Sequence, residues 1–133
     1  VDSKTETPDP AEPERRPKPV IGLVGPCGSG KSTLASGLRR YGWTVRHIAQ
    51  EHSFVKEMWR RLANPDILIF LQASFTVSTR RRRLNWTEAD FAEQQRRLAH
   101  ALQHADLVVD TDALGIDQVL EQVLGYLRDM EGK

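Results

Sequence analysis

Gly25-Pro26-Cys27-Gly28-Ser29-Gly30-Lys31-Ser32 stands between an apolar run, Val20-Ile21-Gly22-Leu23-Val24, and a segment of helical periodicity, Ser32-Thr33-Leu34-Ala35-Ser36-Gly37-Leu38. The succession of buried strand, glycine-rich turn and amphipathic helix fits the pattern GxxxxGK[ST]. Glycines permit backbone conformations that a Cβ disfavours, so successive N–H groups turn inward toward a common anion, reinforced by the positive end of the helix dipole. The spacing predicts that the backbone of Gly25, Pro26, Cys27, Gly28, Ser29, Gly30, Lys31, Ser32 and Thr33 wraps the phosphates of a nucleotide triphosphate. The Lys31 ammonium would neutralise the β- and γ-phosphates, and the Ser32 hydroxyl would ligate Mg²⁺. Cys27 fills a variable slot of the loop, where its backbone N–H matters more than its thiol.

Outward from this loop, strands and helices alternate. Gly42 breaks the first helix, and Trp43-Thr44-Val45-Arg46-His47-Ile48 reads as a short strand with one solvated face. Ser53 is placed to cap a helix carrying Phe54, Val55, Met58, Trp59 and Leu62 at helical spacing, ended by Asn64-Pro65-Asp66. Ile67-Leu68-Ile69-Phe70-Leu71 is the most apolar run of the chain, as expected of a central strand buried on both faces. A short helix from Ser74 ends in Arg80-Arg81-Arg82-Arg83. Thr87 with Asp90 resembles a capping box opening a long helix with Phe91, Leu98, Leu102 and Ala105 toward the core. Leu107-Val108-Val109 is a fourth strand, and Ile116, Val119, Leu120, Val123, Leu124 and Leu127 form the apolar stripe of a last helix.

Alternation of this kind predicts an α/β fold: a small, mainly four-stranded parallel sheet between two helical layers. Numbered along the chain, the strands are expected in spatial order 2-1-3-4, or 2-3-1-4 if the Ile67 run takes a place beside the second strand. Ligands of such sheets bind beyond the carboxyl ends of the strands, which points to the residues after Val24, Ile48, Leu71 and Val109.

Composition narrows the function classes. Nineteen Lys and Arg against eighteen Asp and Glu leave a net charge of +1, so the overall field does not point to nucleic acid. Residues 1–18 carry four prolines and almost no large apolar side chain, and read as a flexible tail before a nucleotide-binding domain spanning 19–133. One cysteine forms no intramolecular disulfide, no apolar run reaches transmembrane length, and the charged N-terminus lacks the apolar core of a signal peptide. The expectation is a cytoplasmic protein without a membrane partner.

Three blocks resemble the P-loop NTP hydrolase superfamily, and within it the nucleoside, nucleotide and small-metabolite kinases. They are the loop from Gly25 to Thr33, the apolar strand and basic helix from Ile67 to Arg83, and Ala105-Asp106-Leu107-Val108-Val109-Asp110-Thr111, which looks like that group's last strand. The resemblance implies a three-layer α/β/α fold, Mg-ATP as cofactor and phosphoryl transfer to a small-molecule or nucleotide acceptor. It also implies that arginines among Arg80 to Arg83 close over the phosphates as a lid, with Arg80 and Arg83 taken as catalytic beside Lys31. A guanine-reading Asn/Thr-Lys-x-Asp segment is absent, which favours ATP over GTP.

The chain departs from that group at the acid. The group's Mg²⁺-holding carboxylate ends a strand lying between the second strand and the counterpart of Ile67–Leu71, whereas here one helix occupies the interval and the Ile67 run ends in Gln72. Glu51, after the second strand, is the substitute, able to hold a Mg²⁺ water or accept a proton from an acceptor hydroxyl. Asp110 and Asp112 are secondary candidates. His47 and His52 flank Glu51, but their spacing matches no zinc motif. The rival readings are a nucleotide-binding regulatory or interaction module without transfer activity, and a minimal ATPase.

Overall fold

The computed structural model describes residues 19–82 and 85–131. The tail assigned to residues 1–18, Arg83 at the end of the arginine run and the last two residues of the 19–133 domain lie outside the described residues. Among those described, no helix is long and apolar enough to cross a membrane.

Four strands, β1 (Val20–Val24), β2 (Thr44–His47), β3 (Ile67–Gln72) and β4 (Leu107–Asp110), form an all-parallel sheet in the order β2-β1-β3-β4. This is the first of the two orders expected from the sequence. β1 and β3 lie in the middle, and the first five residues of β3 are all buried, as its apolar run requires. β2 and β4 are the edges, and each has a single buried residue, Val45 and Val109.

Period-two alternation divides the sheet residues between two cores. Ile21, Leu23, Ile69 and Leu71 face Leu34 and Leu38 of α1 (Lys31–Arg40) and Val123 and Leu127 of α4 (Ile116–Glu131). Val24, Leu68 and Phe70 face Trp59 together with Leu98 and Ala101 of α3 (Glu88–His104). Thr87 caps α3 through the reciprocal bonds of a capping box, accepting from the Asp90 N–H at 3.2 Å while the Asp90 carboxylate accepts from the Thr87 N–H at 2.9 Å. The short helix α2 (Phe75–Arg82) starts at Ser74, whose Oγ accepts from the Val77 N–H. Phe75, Phe91 and Trp86 join α2 to α3 as an aromatic trio with centroid separations of 5.8–6.3 Å.

At the amino edge of the sheet two aspartates act alike. Asp66, just before β3, donates its N–H to Val20 O and accepts the Val20 N–H on its carboxylate. Asp106, just before β4, makes the same pair of bonds to Leu68.

The helix expected from Ser53 does not form. A 3₁₀ turn, Gln50–His52, is followed by an irregular stretch and a single wide turn of π type, Trp59–Ala63. The fully buried Gln50 explains it: its amide donates to Val55 O at 2.9 Å and accepts the Trp59 N–H at 2.8 Å, replacing bonds that a helix would make along its own axis. Phe54 and Leu62, expected on the inward face, are 86 % and 75 % exposed. Asn64 ends the turn in the left-handed conformation (φ 41°), with Pro65 behind it.

Candidate functional site

The carboxyl ends of the strands open into a cleft of about 790 Å³. Its floor is the glycine loop joining β1 to α1. Gly28 has φ 81°, and a Cβ there would stand 2.6 Å from Ser78 O in α2. Gly25 passes so close to the end of β3 that a Cβ would stand 2.3 Å from Leu71 O. Both positions are therefore closed to any side chain. Gly30, left-handed at φ 96°, is the N-cap of α1, and the first bond within the helix runs from the Leu34 N–H to Gly30 O. The N–H groups of Lys31, Ser32 and Thr33 precede that bond and have no partner within the helix, so the positive end of α1 faces the cleft these residues line.

Lys31 is 6 % exposed, with all three ammonium protons engaged: Gly25 O at 2.6 Å, Pro26 O at 3.2 Å and Glu51 Oε2 at 2.9 Å. Glu51 is 4 % exposed, and its Oε1 has no hydrogen-bond partner among the described residues. β2 lies directly beside β1, so the turn after β2 delivers Glu51 to the lysine of the loop. A buried carboxylate thus reaches the loop lysine from the turn after the edge strand, where the sequence places Glu51. His47 lines the same cleft, and burial, then the nearby Lys31 ammonium, hold its pKa below the ordinary imidazole value.

Cys27 departs from its expected role. Its N–H is donated to Gln94 Oε1 at 3.1 Å, while Gln94 Nε2 reaches its Sγ at 3.3 Å. The thiol, not the N–H, faces the cleft residues, with Sγ 3.7 Å from His52 Nε2. Pro26 and Gly25 do not line the cleft, and they contribute the carbonyls that hold Lys31.

Of the arginines, Arg80 is exposed and lies away from the cleft, and Arg81 and Arg82 line it. Helical spacing allows only part of such a run to face one side. Arg81 is anchored: Nη1 donates to Thr111 Oγ1 at 2.9 Å and to Gly28 O at 3.2 Å, and Nη2 donates to Thr111 O. Thr111, buried after β4, is itself held by Gln72, its N–H and Oγ1 both donating to Gln72 O. Asp110 and Asp112 do not line the cleft. Asp110 accepts from the Asp112 N–H, and Asp112 accepts from the Ser74 N–H, so both fix connections at the sheet's carboxyl edge. Leu114, Ile116 and Val119 give the cleft an apolar side.

Sequence reasoning passed over Gln94 and Thr111. Thr111 follows a strand at the carboxyl edge and was open to the same logic that selected Glu51. Gln94 sits inside a long helix, and only the packing of α3 brings it to the loop. Comparison of the chain with protein-family models and with curated proteins returns no match.

Proposed function

We propose that the chain binds a Mg-nucleoside triphosphate, ATP, in this cleft and transfers its terminal phosphoryl group to a small hydroxyl- or phosphate-bearing acceptor. The observation that carries the reading is the junction of β1 and α1. Glycine conformations closed to other residues bring a buried lysine and the N–H groups of a helix N-terminus, which have no partner within the helix, to one point at the carboxyl edge of a parallel sheet. The triphosphate lies along Gly28–Thr33, and the base meets the apolar side formed by Leu114, Ile116 and Val119. Lys31 exchanges Glu51 or a loop carbonyl for phosphate oxygens. Arg81 and Arg82 supply positive charge over the transferring group, and transfer rests mainly on positioning and charge neutralisation.

The residues present fit Mg²⁺. The Ser32 hydroxyl is at the cleft, and the unpartnered Glu51 Oε1 is a buried acceptor able to receive a bound water or a proton from the acceptor hydroxyl. The cation, when bound, offsets phosphate charge. The direct Lys31–Glu51 ion pair favours a second reading, a module that binds nucleotide without transferring phosphate, because that carboxylate is already committed.

Thermal denaturation with Mg-ATP, followed by a γ-phosphate transfer assay against a metabolite panel, separates these readings. Ligand at a hundredfold excess over Kd is expected to stabilise by about 2.7 kcal/mol. Lys31→Ala should abolish the shift, and Glu51→Gln should keep nucleotide affinity while slowing transfer by about 10²-fold or more. Binding without transfer to any acceptor selects the module. No shift with millimolar ATP, ADP or GTP rejects both.

A further inference from the structure

We propose that Cys27, Glu51 and His52 form a site for a borderline-soft divalent cation, zinc, at the mouth of the glycine loop. One ligand atom from each, a thiol sulfur, a carboxylate oxygen and an imidazole nitrogen, lies within 4.8 Å of the others. Cys27 Sγ and Glu51 Oε2 are each 3.7 Å from His52 Nε2. Tetrahedral zinc, with bonds of about 2.3 Å to sulfur and about 2.0–2.1 Å to nitrogen or oxygen, spaces its ligand atoms by about 3.3–3.6 Å. Those two pairs are therefore within a few tenths of an ångström of the required edges.

The second oxygen of the same carboxylate, Oε1, is buried without a hydrogen-bond partner among the described residues, so Glu51 keeps unused acceptor capacity at the cluster. Outer contacts are also in place. Gln94 holds Cys27 by backbone and sulfur, and Lys31 holds Glu51 Oε2. His52, 60 % exposed, leaves a path for the ion and has freedom to shorten its own two edges, while the Cys27–Glu51 edge, within 4.8 Å, closes by rotation of the Cys27 thiol. On binding, the Cys27 thiol passes its proton to solvent, and thiolate and carboxylate together match the dication's two charges. The surplus charge of Lys31 stays with Gly25 O and Pro26 O. Three protein ligands leave a fourth position to water. Magnesium, which demands six oxygens, is poorly served by sulfur and imidazole. A zinc ion here stands among residues lining the cleft and obstructs the entrance to the loop, so zinc inhibits Mg-ATP binding. That consequence rests on the proposed function, whereas the metal site does not.

The test is a titration of the reduced, untagged full chain with Co²⁺ and then Zn²⁺, without nucleotide. A thiolate-to-cobalt charge-transfer band should saturate at one equivalent and be displaced by zinc. Cys27→Ser should abolish the band, and His52→Ala and Glu51→Gln should each weaken zinc by at least about tenfold, the lower cost of losing even an outer-shell partner. The His100→Gln/His104→Gln variant, which removes the other imidazole pair (centroids 4.3 Å apart), should leave the band unchanged. Absence of the band at saturating cobalt overturns the site, as does undiminished affinity in His52→Ala. A chain that binds zinc but no nucleotide upholds the site and rejects the proposed function, and the converse result rejects only the site.

Discussion

From Gly25 to Lys31 the loop under the cleft is held by backbone wedged against backbone, touching the end of β3 on one side and Ser78 of α2 on the other. Its arginine-bearing part is built differently, with Arg81 reaching Thr111 and Gly28 by its side chain, Arg82 exposed, and Arg80 turned away. A wall made of close-packed main chain admits almost no substitution and ignores salt. A wall made of long solvated side chains can be altered one residue at a time and is screened by ions. The rigid part therefore fixes where charge is placed, and the adaptable part adjusts how much of it faces the cleft.

The largest break should come inside the rigid part. Lys31→Met leaves Glu51 buried without its cation, and a loss of about 3–5 kcal/mol is expected in chemical denaturation. Lys31→Met/Glu51→Met should recover most of it, since the ion pair's two desolvation costs vanish together. A single-variant loss under about 1 kcal/mol would show that solvent already reaches the pair.

Gly28→Ala, at φ 81° and against Ser78 O, is expected to cost about 1–3 kcal/mol. The contrast is Gly125→Ala in α4, where a Cβ meets nothing within 4 Å and should stabilise by about 0.5–1 kcal/mol through helix propensity. Equal effects at the two glycines would remove the distinction between loop and helix.

In the adaptable part, Arg81→Gln should cost about 1 kcal/mol through its lost bonds, while Arg80→Gln stays within about 0.5 kcal/mol of the parent. If both are silent, the Arg81–Thr111 anchor carries no weight in solution.

The smallest effect is a pH slope. Burial and Lys31 lower the pKa of His47, and burial and His104 lower that of His100, so below the ordinary value of 6.5 the unfolded chain binds more protons than the folded one. Stability should thus decline as pH falls below that value and be indifferent to these groups above it. His47→Gln should flatten the decline, which denaturation midpoints measured across pH 5–8 would reveal.

How much of this was readable from residue order depends on whether a local pattern or a distant partner decides the conformation. The strands, α1 and the capping box of α3 follow from periodicity and turn chemistry that act over a few residues, whereas the sheet order, a long-range property, stays open between two arrangements until the pairing of β1 with β2 decides it. Residues 53–63 carry helical spacing, yet Gln50 captures their backbone groups, a tertiary effect that no periodicity records. The position of Glu51 beside Lys31 was legible as an acid at the functional edge. Its direct ion pair, and the grip of Gln94 on Cys27, depend on strand adjacency and the docking of α3. The choice between Arg80 and Arg81 turned on a rotation of α2 that a run of identical residues cannot specify.

Asp66 and Asp106 have a consequence for how this architecture tolerates change. Each stops its strand against a neighbour with two hydrogen bonds at the end of the sheet remote from the cleft. A parallel strand that slips by one residue turns every side chain to the wrong face, so such stops act as mechanical datum points. With alignment secured there, the connections at the opposite edge other than the wedged glycine loop are free to lengthen, shorten or exchange residues without dragging the strands out of step.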